Sequence, residues 1–308
     1  MIWDITIKGF KAFLRLEKAL STHSIDAYER DIDKLVAFLE LHSIKAAPKE
    51  VTQAHLEGFL EWINSLGLSV RSQARILSGI KTFYKYLQIE QVLENAPTEL
   101  LEGPKLGRYI PEVLTFEEIQ AMLATIDLST NHGLRNRAIL EILYASGLRV
   151  SELTSLRLTN IYWQEGFLKI IGKGDKERLV PIGEEALKHL RFYIEGVRRH
   201  INTIKPEARH LVFLNRNGGS LSRVSVFTMV KKCAQEASIT KNVSPHTFRH
   251  SFATHLIEGG ADLRAVQDML GHESILTTEI YTHLDTDFLR ETILQFHPRG
   301  RKGVSGKV

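Results

Sequence analysis

A single cysteine in 308 residues leaves no partner for an intrachain disulfide, and Cys233 suits a chain that folds in a reducing compartment. It stands in SVFTMVKKCAQEA at helical spacing from Val226 and Val230, the place of a small core residue. No run of about 18 apolar residues is present, which excludes an ordinary membrane-spanning helix. The N-terminus, MIWDITIKGF, lacks a signal-peptide pattern, so the cytoplasm is the expected compartment and no membrane partner is expected. There is no internal repeat. Neither sign of charge dominates: 40 Lys and Arg against 36 Asp and Glu give +4, a weak pointer to a polyanionic partner. Residues 1–107 hold 13 basic against 14 acidic side chains and the remainder 27 against 22. A DNA contact by the N-terminal part would therefore need one basic face rather than bulk charge.

What is there reads as a globular protein, 43% apolar and 25% charged, long enough for two domains. The first hundred residues carry helical periodicity. SIDAYERDIDKLVAFLELHS spaces Ala27, Ile32, Leu35, Phe38 and Leu39 near 3.6, and VTQAHLEGFLEWINSLG repeats this with Leu56, Phe59, Leu60 and Ile63 before Gly67. SVRSQARILSGIKTFYKYLQ has an apolar side of Val70, Ala74, Leu77, Tyr84 and Leu87, with Ile76, Ile80 and Phe83 alongside. Its other side carries Arg71, Arg75, Ser78, Thr82 and Lys85 without an acid. That stripe is either a solvated face or one that lies along DNA.

Residues 96–113, rich in proline and glycine, read as a linker between an N-terminal domain, 1–95, and a second domain, 114–298. Thr115 and Glu118 form a capping-box pattern where helices resume. NIYWQEGFLKIIGKGDKERLVPIG is the one convincing sheet, short strands around the turn GKGDKER. Residues 299–308 read as a disordered basic tail. The fold class expected is mainly α, with a small antiparallel sheet in the second domain.

Three clusters hold residues that packing does not require. SGLRVSEL offers Arg149 after a glycine break with Glu152 three residues on, and a local salt bridge is the plainer explanation. SPHTFRHSFATHLIEGG offers His246 and Arg249 on one helical face, behind a cap at Ser244 or His246. Its Phe248, Phe252, Leu256 and Ile257 are expected to point inward, and His250 and His255 to support the fold. LGHESILTTEIYTH ends a helix at Gly271, follows it with His272, and reaches Tyr281, which could equally be a packed ring.

Together these types suit one reaction. Two arginines clamp the nonbridging oxygens of a phosphate, histidines donate to it or move a proton, and neighbouring cations favour the phenolate of a tyrosine. Acidic residues are scarce among the candidates, which argues against a two-metal nuclease. Metal-free attack of tyrosine on a phosphodiester fits the set.

Arg149, His246-x-x-Arg249, Leu270-Gly271-His272 and Tyr281, in this order and spacing, resemble the tyrosine recombinase (phage integrase) family. Length and linker look most like the Xer recombinases, and the likeness covers nearly the whole chain. The resemblance implies a SAM-like helical core-binding domain followed by a mostly helical catalytic domain, closing as a C-shaped clamp on double-stranded DNA with a specific recombination site. It implies that Arg149 and Arg249 hold the scissile phosphate, that His246 and His272 complete the cage, and that Glu152 braces it. Tyr281 would be the nucleophile. Lys173, otherwise a solvated turn lysine, takes the position of the family's hairpin lysine, which protonates the departing oxygen. Arg71, Arg75 and Lys85 become candidate DNA contacts. No metal, ATP or other cofactor is implied. The family works as a homo- or heterotetramer with a second recombinase, in some cases with a DNA translocase, and resolves chromosome or plasmid dimers through a Holliday junction. A mobile-element integrase, a type IB topoisomerase and an inactive DNA-binding relative are the rivals. The face Phe288, Leu289, Ile293 and Phe296 of the last helix is expected to dock on a neighbouring subunit, its own domain being the alternative.

Overall fold

The computed structural model describes residues 2–104, 112–172, 175–271 and 283–300, with side chains of the last segment from residue 288. It divides into two compact units, Met1–Tyr109 and Ile110–Val308. No helix among the described residues is long and apolar enough to cross a membrane.

The first unit is helical: α1 (Ile2–Leu16), α2 (Thr22–Leu41), α3 (Gln53–Ser65) and α4 (Val70–Ile89). Ser21, Thr52 and Ser69 cap the last three of these, each accepting a backbone N–H three residues on. The apolar faces meet in a core where the Phe10 and Phe83 rings stand edge to face, 5.2 Å apart. On α4, Ile76, Leu77, Ile80, Phe83, Tyr84 and Leu87 are buried as the period requires. Val70 is not: as the first residue after the Ser69 cap it stays 47% exposed. Ala96 and Leu101, within the stretch read as linker, bury into this same core, and Lys81 Nζ donates to the Leu101 carbonyl at 2.7 Å.

The second unit contains α5 (Phe116–Ala124), α6 (Asn131–Ser146), α7 (Val150–Thr154), β1 (Ile161–Tyr162), β2 (Phe167–Ile171), β3 (Glu177–Pro181), α8 (Glu184–Gly196), α9 (Arg223–Glu236), α10 (Pro245–Gly259), α11 (Leu263–Leu270) and α12 (His283–Phe296). The Thr115–Glu118 capping box opens α5, and Lys241 pins its start by bonding Val113 O and Glu118. The strands form one antiparallel sheet in the order β1-β2-β3, with Leu168 opposite Val180 and Ile170 opposite Arg178. Cys233 lies buried in the main core.

Helix α6 is buried over most of its length and carries Glu141 at its middle. This carboxylate accepts from Arg137 at 3.0 Å and from Arg299 at 2.7 Å. Burial pushes its pKa up, and the two arginines oppose that. Arg299 therefore belongs to the packed unit, whereas residues 301–308 of the expected tail lie outside the described residues.

The last helix packs on its own domain, the alternative to a neighbouring subunit. Leu289 and Ile293 bury against Phe252, Leu256 and Met269 of their own domain, and His297 lies fully buried beside the Tyr144 and Phe252 rings. The Arg299–Glu141 pair holds the segment there. Phe288 falls on the outer side at 52% exposure, because one residue turns a helix by about 100° and Leu289 takes the inward place. Ile257, expected inward, is 46% exposed in the last turn of α10.

Candidate active site

The site is built from helix ends. α6 stops at Gly147, whose φ of +58° is left-handed, and a Cβ there would collide with the Phe252 ring. Glycine permits both the turn and the contact. The chain then places Arg149 as the N-cap of α7, and Glu152 reaches back to it. One carboxylate oxygen accepts the Arg149 amide at 2.8 Å and the other its guanidinium at 2.9 Å.

That salt bridge is half of the arrangement. Glu152 is only 6% exposed, and both its oxygens also accept from Arg178, at 2.8 and 2.9 Å. Burial alone would raise the Glu152 pKa, but the hydrogen bonds and charge of Arg178, with the Arg149 amide, outweigh it and hold the carboxyl below its ordinary value. Arg178 was missed by the sequence reading. Its signal lay in the period of β3, where Arg178 alternates with Val180 on the buried face. An inward arginine requires a paired acid.

α10 brings a further guanidinium. Ser244, not His246, is its cap, accepting from the Thr247 amide, and Pro245 opens the helix. His246 is exposed in the first turn, while Arg249 is buried at 6% exposure. Arg249 donates to Gly147 O at 2.8 Å and to Leu270 O at 2.6 Å. Burial and then the charge of Arg149 lower its pKa to about 10, Glu152 opposing, so it remains a cation at neutral pH.

α11 ends at Gly271, again left-handed at φ +64°. Three successive carbonyls at this end each hold a different arginine: Met269 takes Arg178 Nε at 2.8 Å, Leu270 takes Arg249, and Gly271 takes Arg149 Nη2 at 3.3 Å. Helix C-termini leave carbonyls unpaired and carry the negative end of the dipole, so cations settle there. Three guanidiniums thus gather around one carboxylate. Only Arg149 among them is well exposed, with 45% of its side chain accessible, and the cluster is suited to an anion that approaches from that side.

Arg149, Glu152 and Arg249 are brought together; His246 stands one helical turn from Arg249 with its ring in the open. His255 supports the fold as expected, its Nδ1 2.9 Å from the Tyr144 hydroxyl. Lys173, His272 and Tyr281 lie outside the described residues. In sequence, Lys173 follows the Gly172 that ends β2, and His272 follows Gly271.

In the first unit Arg71 and Lys85 are exposed on α4, and Lys85 lines a shallow groove with Ser78, Lys81 and Thr82. Arg75 on the same stripe is tied to the neighbouring helix. Its guanidinium makes two 2.6 Å bonds to the buried Asp31 of α2, which approaches α4 at Gly79. Asp31 nonetheless has a raised pKa, because its burial outweighs the arginine.

Comparison with known proteins places this geometry. The phage integrase family model matches residues 112–287, and the phage integrase N-terminal SAM-like domain matches residues 7–91. Tyrosine recombinase XerD of Staphylococcus saprophyticus is 43% identical over 296 residues, covering 96% of this chain and 99% of that protein. Tyrosine recombinase XerD of Chlorobaculum tepidum is 42% identical over 301 residues, covering 97% and 98%. Among solved structures, XerH site-specific recombinase in its post-cleavage complex with palindromic difH substrate has a TM-score of 0.68 at 26% identity, over 87% of this chain and 78% of that one. The lambda integrase dimer bound to a core site shares the fold alone, with a TM-score of 0.67 at 16% identity over 88% of this chain and 95% of that one.

Proposed function

The chain belongs to the phage integrase family and is a site-specific tyrosine recombinase that acts on DNA, and from that premise we propose that Tyr281 is its nucleophile and that Arg149 and Arg249 are its phosphate clamp. Tyr281, as the phenolate that the neighbouring cations favour, attacks the scissile phosphorus through Oη. The P–O5′ bond breaks, the 5′-oxygen takes a proton from Lys173, and a 3′-phosphotyrosyl bond remains. The 5′-hydroxyl of the partner strand then attacks that bond and releases Tyr281. Each step exchanges one phosphoester for another, so the cycle consumes no ATP and needs no redox partner.

Arg149 and Arg249 neutralise the nonbridging oxygens, and His246 and His272 donate to the same phosphate. Ionised Glu152 makes no bond to DNA. It holds Arg149 by amide and guanidinium at once, and its negative charge keeps three close guanidiniums from repelling one another. The observation that carries this reading is the convergence of Arg149, Arg178 and Arg249 on Glu152 and the end of α11. A net cationic cluster with one open side is an anion site. Arg71 and Lys85 on α4 are the first unit's phosphate contacts.

The cellular role is dimer resolution of chromosomes or plasmids in the cytoplasm, by a homo- or heterotetramer on two duplexes. Near full-length similarity to proteins named XerD supports this role over that of a mobile-element integrase. The test is to incubate the protein with nicked suicide substrates from its own genome. A denaturation-resistant adduct is expected with the parent and none with Tyr281→Phe, which loses only the hydroxyl; an adduct formed by Tyr281→Phe removes Tyr281 from the role.

A further inference from the structure

We infer that Arg178 is a positioning residue of the recombination site: it fixes the phosphate-clamping Arg149 through Glu152. The inference rests on the reading of Arg149 as a phosphate clamp.

The geometry uses the full shape of the guanidinium. Nη1 and Nη2 take one Glu152 oxygen each, at 2.8 and 2.9 Å, while Nε takes Met269 O at 2.8 Å. Those same two oxygens hold Arg149, one its guanidinium and the other its amide. The carboxylate is thus gripped from both sides, and its plane cannot rotate without losing bonds to one arginine or the other. A lysine, with a single nitrogen, cannot occupy three acceptors in this fork.

Stability alone is a poor reason for such a pair. Arg178 is 7% and Glu152 6% exposed, and burying two charges costs about as much as their attraction returns, so an apolar pair of similar volume would serve a core as well. What an apolar pair cannot do is orient Arg149. Arg178 also stands on β3, and its Cδ, Nε and Cζ lie 3.2–3.3 Å from where a Gly271 Cβ would be. One side chain therefore joins β3, α7 and the turn before His272.

Removal of Arg178 leaves Glu152 buried with partners on one side only. Its pKa rises, the carboxylate turns toward a new donor or takes up a proton, and Arg149 is released from its setting.

The test uses full-length protein and two DNA substrates, one with the ordinary scissile phosphodiester and one with a methylphosphonate there. The methyl group removes the charge that an arginine neutralises. Arg149→Ala is expected to lose cleavage on the phosphodiester and regain most of it on the neutral substrate. Arg178→Lys, which keeps the charge but not the fork, is expected to cleave the phosphodiester about 10–100-fold more slowly, the range for residues that orient a functional group. Its deficit on the methylphosphonate should shrink to a few-fold, with binding to a single site unchanged. An equal loss on both substrates makes Arg178 a fold residue and overturns the inference. Failure of Arg149→Ala to recover instead overturns the clamp reading itself. Should Arg178→Lys not fold, Glu152→Gln breaks the same link from the other side and must show the same selective recovery.

Discussion

Arg249 of α10 donates to the carbonyl of Gly147 at the end of α6, 2.8 Å away, and the two lie 102 residues apart in sequence. That bond makes the left-handed turn at Gly147 part of the site, since the turn aims the carbonyl as well as ending the helix. Gly147→Ala adds strain at a positive φ and a clash with Phe252. The expected loss is about 2–4 kcal/mol, from backbone conformation and overpacking together. Melting with and without the substitution checks it, and cleavage per folded molecule should also fall, because Arg249 loses its seat.

The departing 5′-oxygen is the conjugate base of a weak acid, and a proton delivered to it is worth about 10²–10⁴-fold in rate. Lys173→Ala should therefore cleave ordinary DNA very slowly. A substrate with sulfur in place of the bridging oxygen leaves as a thiolate, of pKa about 8.5, and should restore Lys173→Ala almost to the parent rate. Arginine variants should gain far less, since phosphate charge remains to be neutralised. Without selective rescue, another residue is the acid.

Acid should weaken the second unit through two buried histidines. Burial lowers His297 to about 3 and His189 to about 4, so both are neutral when folded. Unfolded, each takes a proton below about 6.5. Their contribution to stability is therefore complete above pH 6.5 and is lost as pH falls from there toward 4. The slope is up to about 1.4 kcal/mol per pH unit for each histidine. Urea melts at pH 7, 6 and 5 should show it, and His297→Phe should flatten the slope whatever its absolute stability. An unchanged slope in that variant would falsify the assignment.

The C-terminal segment is expected to act first on stability. Arg299→Gln leaves the buried Glu141 with Arg137 as its main cation, at a cost on the order of 2 kcal/mol. Truncation after Asp285 removes Leu289, Ile293, His297 and Arg299 together, and should lower the melting temperature of the isolated protein. If that temperature is unaffected, the segment does not pack on its own domain in solution.

On α4, Arg75→Ala and Lys85→Ala should part company. Loss of Arg75 strands the buried Asp31 and lowers the melting temperature, whereas Lys85→Ala leaves stability alone and weakens DNA binding across all sequences. The salt dependence of binding should fall by about one phosphate contact for Lys85→Ala. Equal loss of stability in both variants would remove the distinction.

Local chemistry was legible in the chain. The Thr115–Glu118 box, the glycine stops at Gly67, Gly147 and Gly271, and the hairpin around GKGDKER all follow from residues a few positions apart, whereas the cap of α10 stayed open between Ser244 and His246. The family follows from Arg149, His246, Arg249, His272 and Tyr281, whose order and spacing are themselves sequence. Helix faces were legible in their middles and failed at their ends, as at Val70 and Ile257, where a neighbour no longer covers every position.

What only the tertiary structure decided are the pairings across long separations. Arg178 meets Glu152 26 residues away and Met269 91 residues away, and Arg299 meets Glu141 across 158. The period of β3 marks Arg178 as inward but does not say which acid it meets, and for Arg299 no local pattern marks even the burial. The pairing is decided by burial, which removes water and leaves each guanidinium to find whichever carboxylates and helix-end carbonyls the fold has brought within reach. The same holds for Arg75, a stripe residue by its period and a partner of Asp31 by its depth, and for α12, whose apolar face fits any apolar surface until the ion pair behind it selects one.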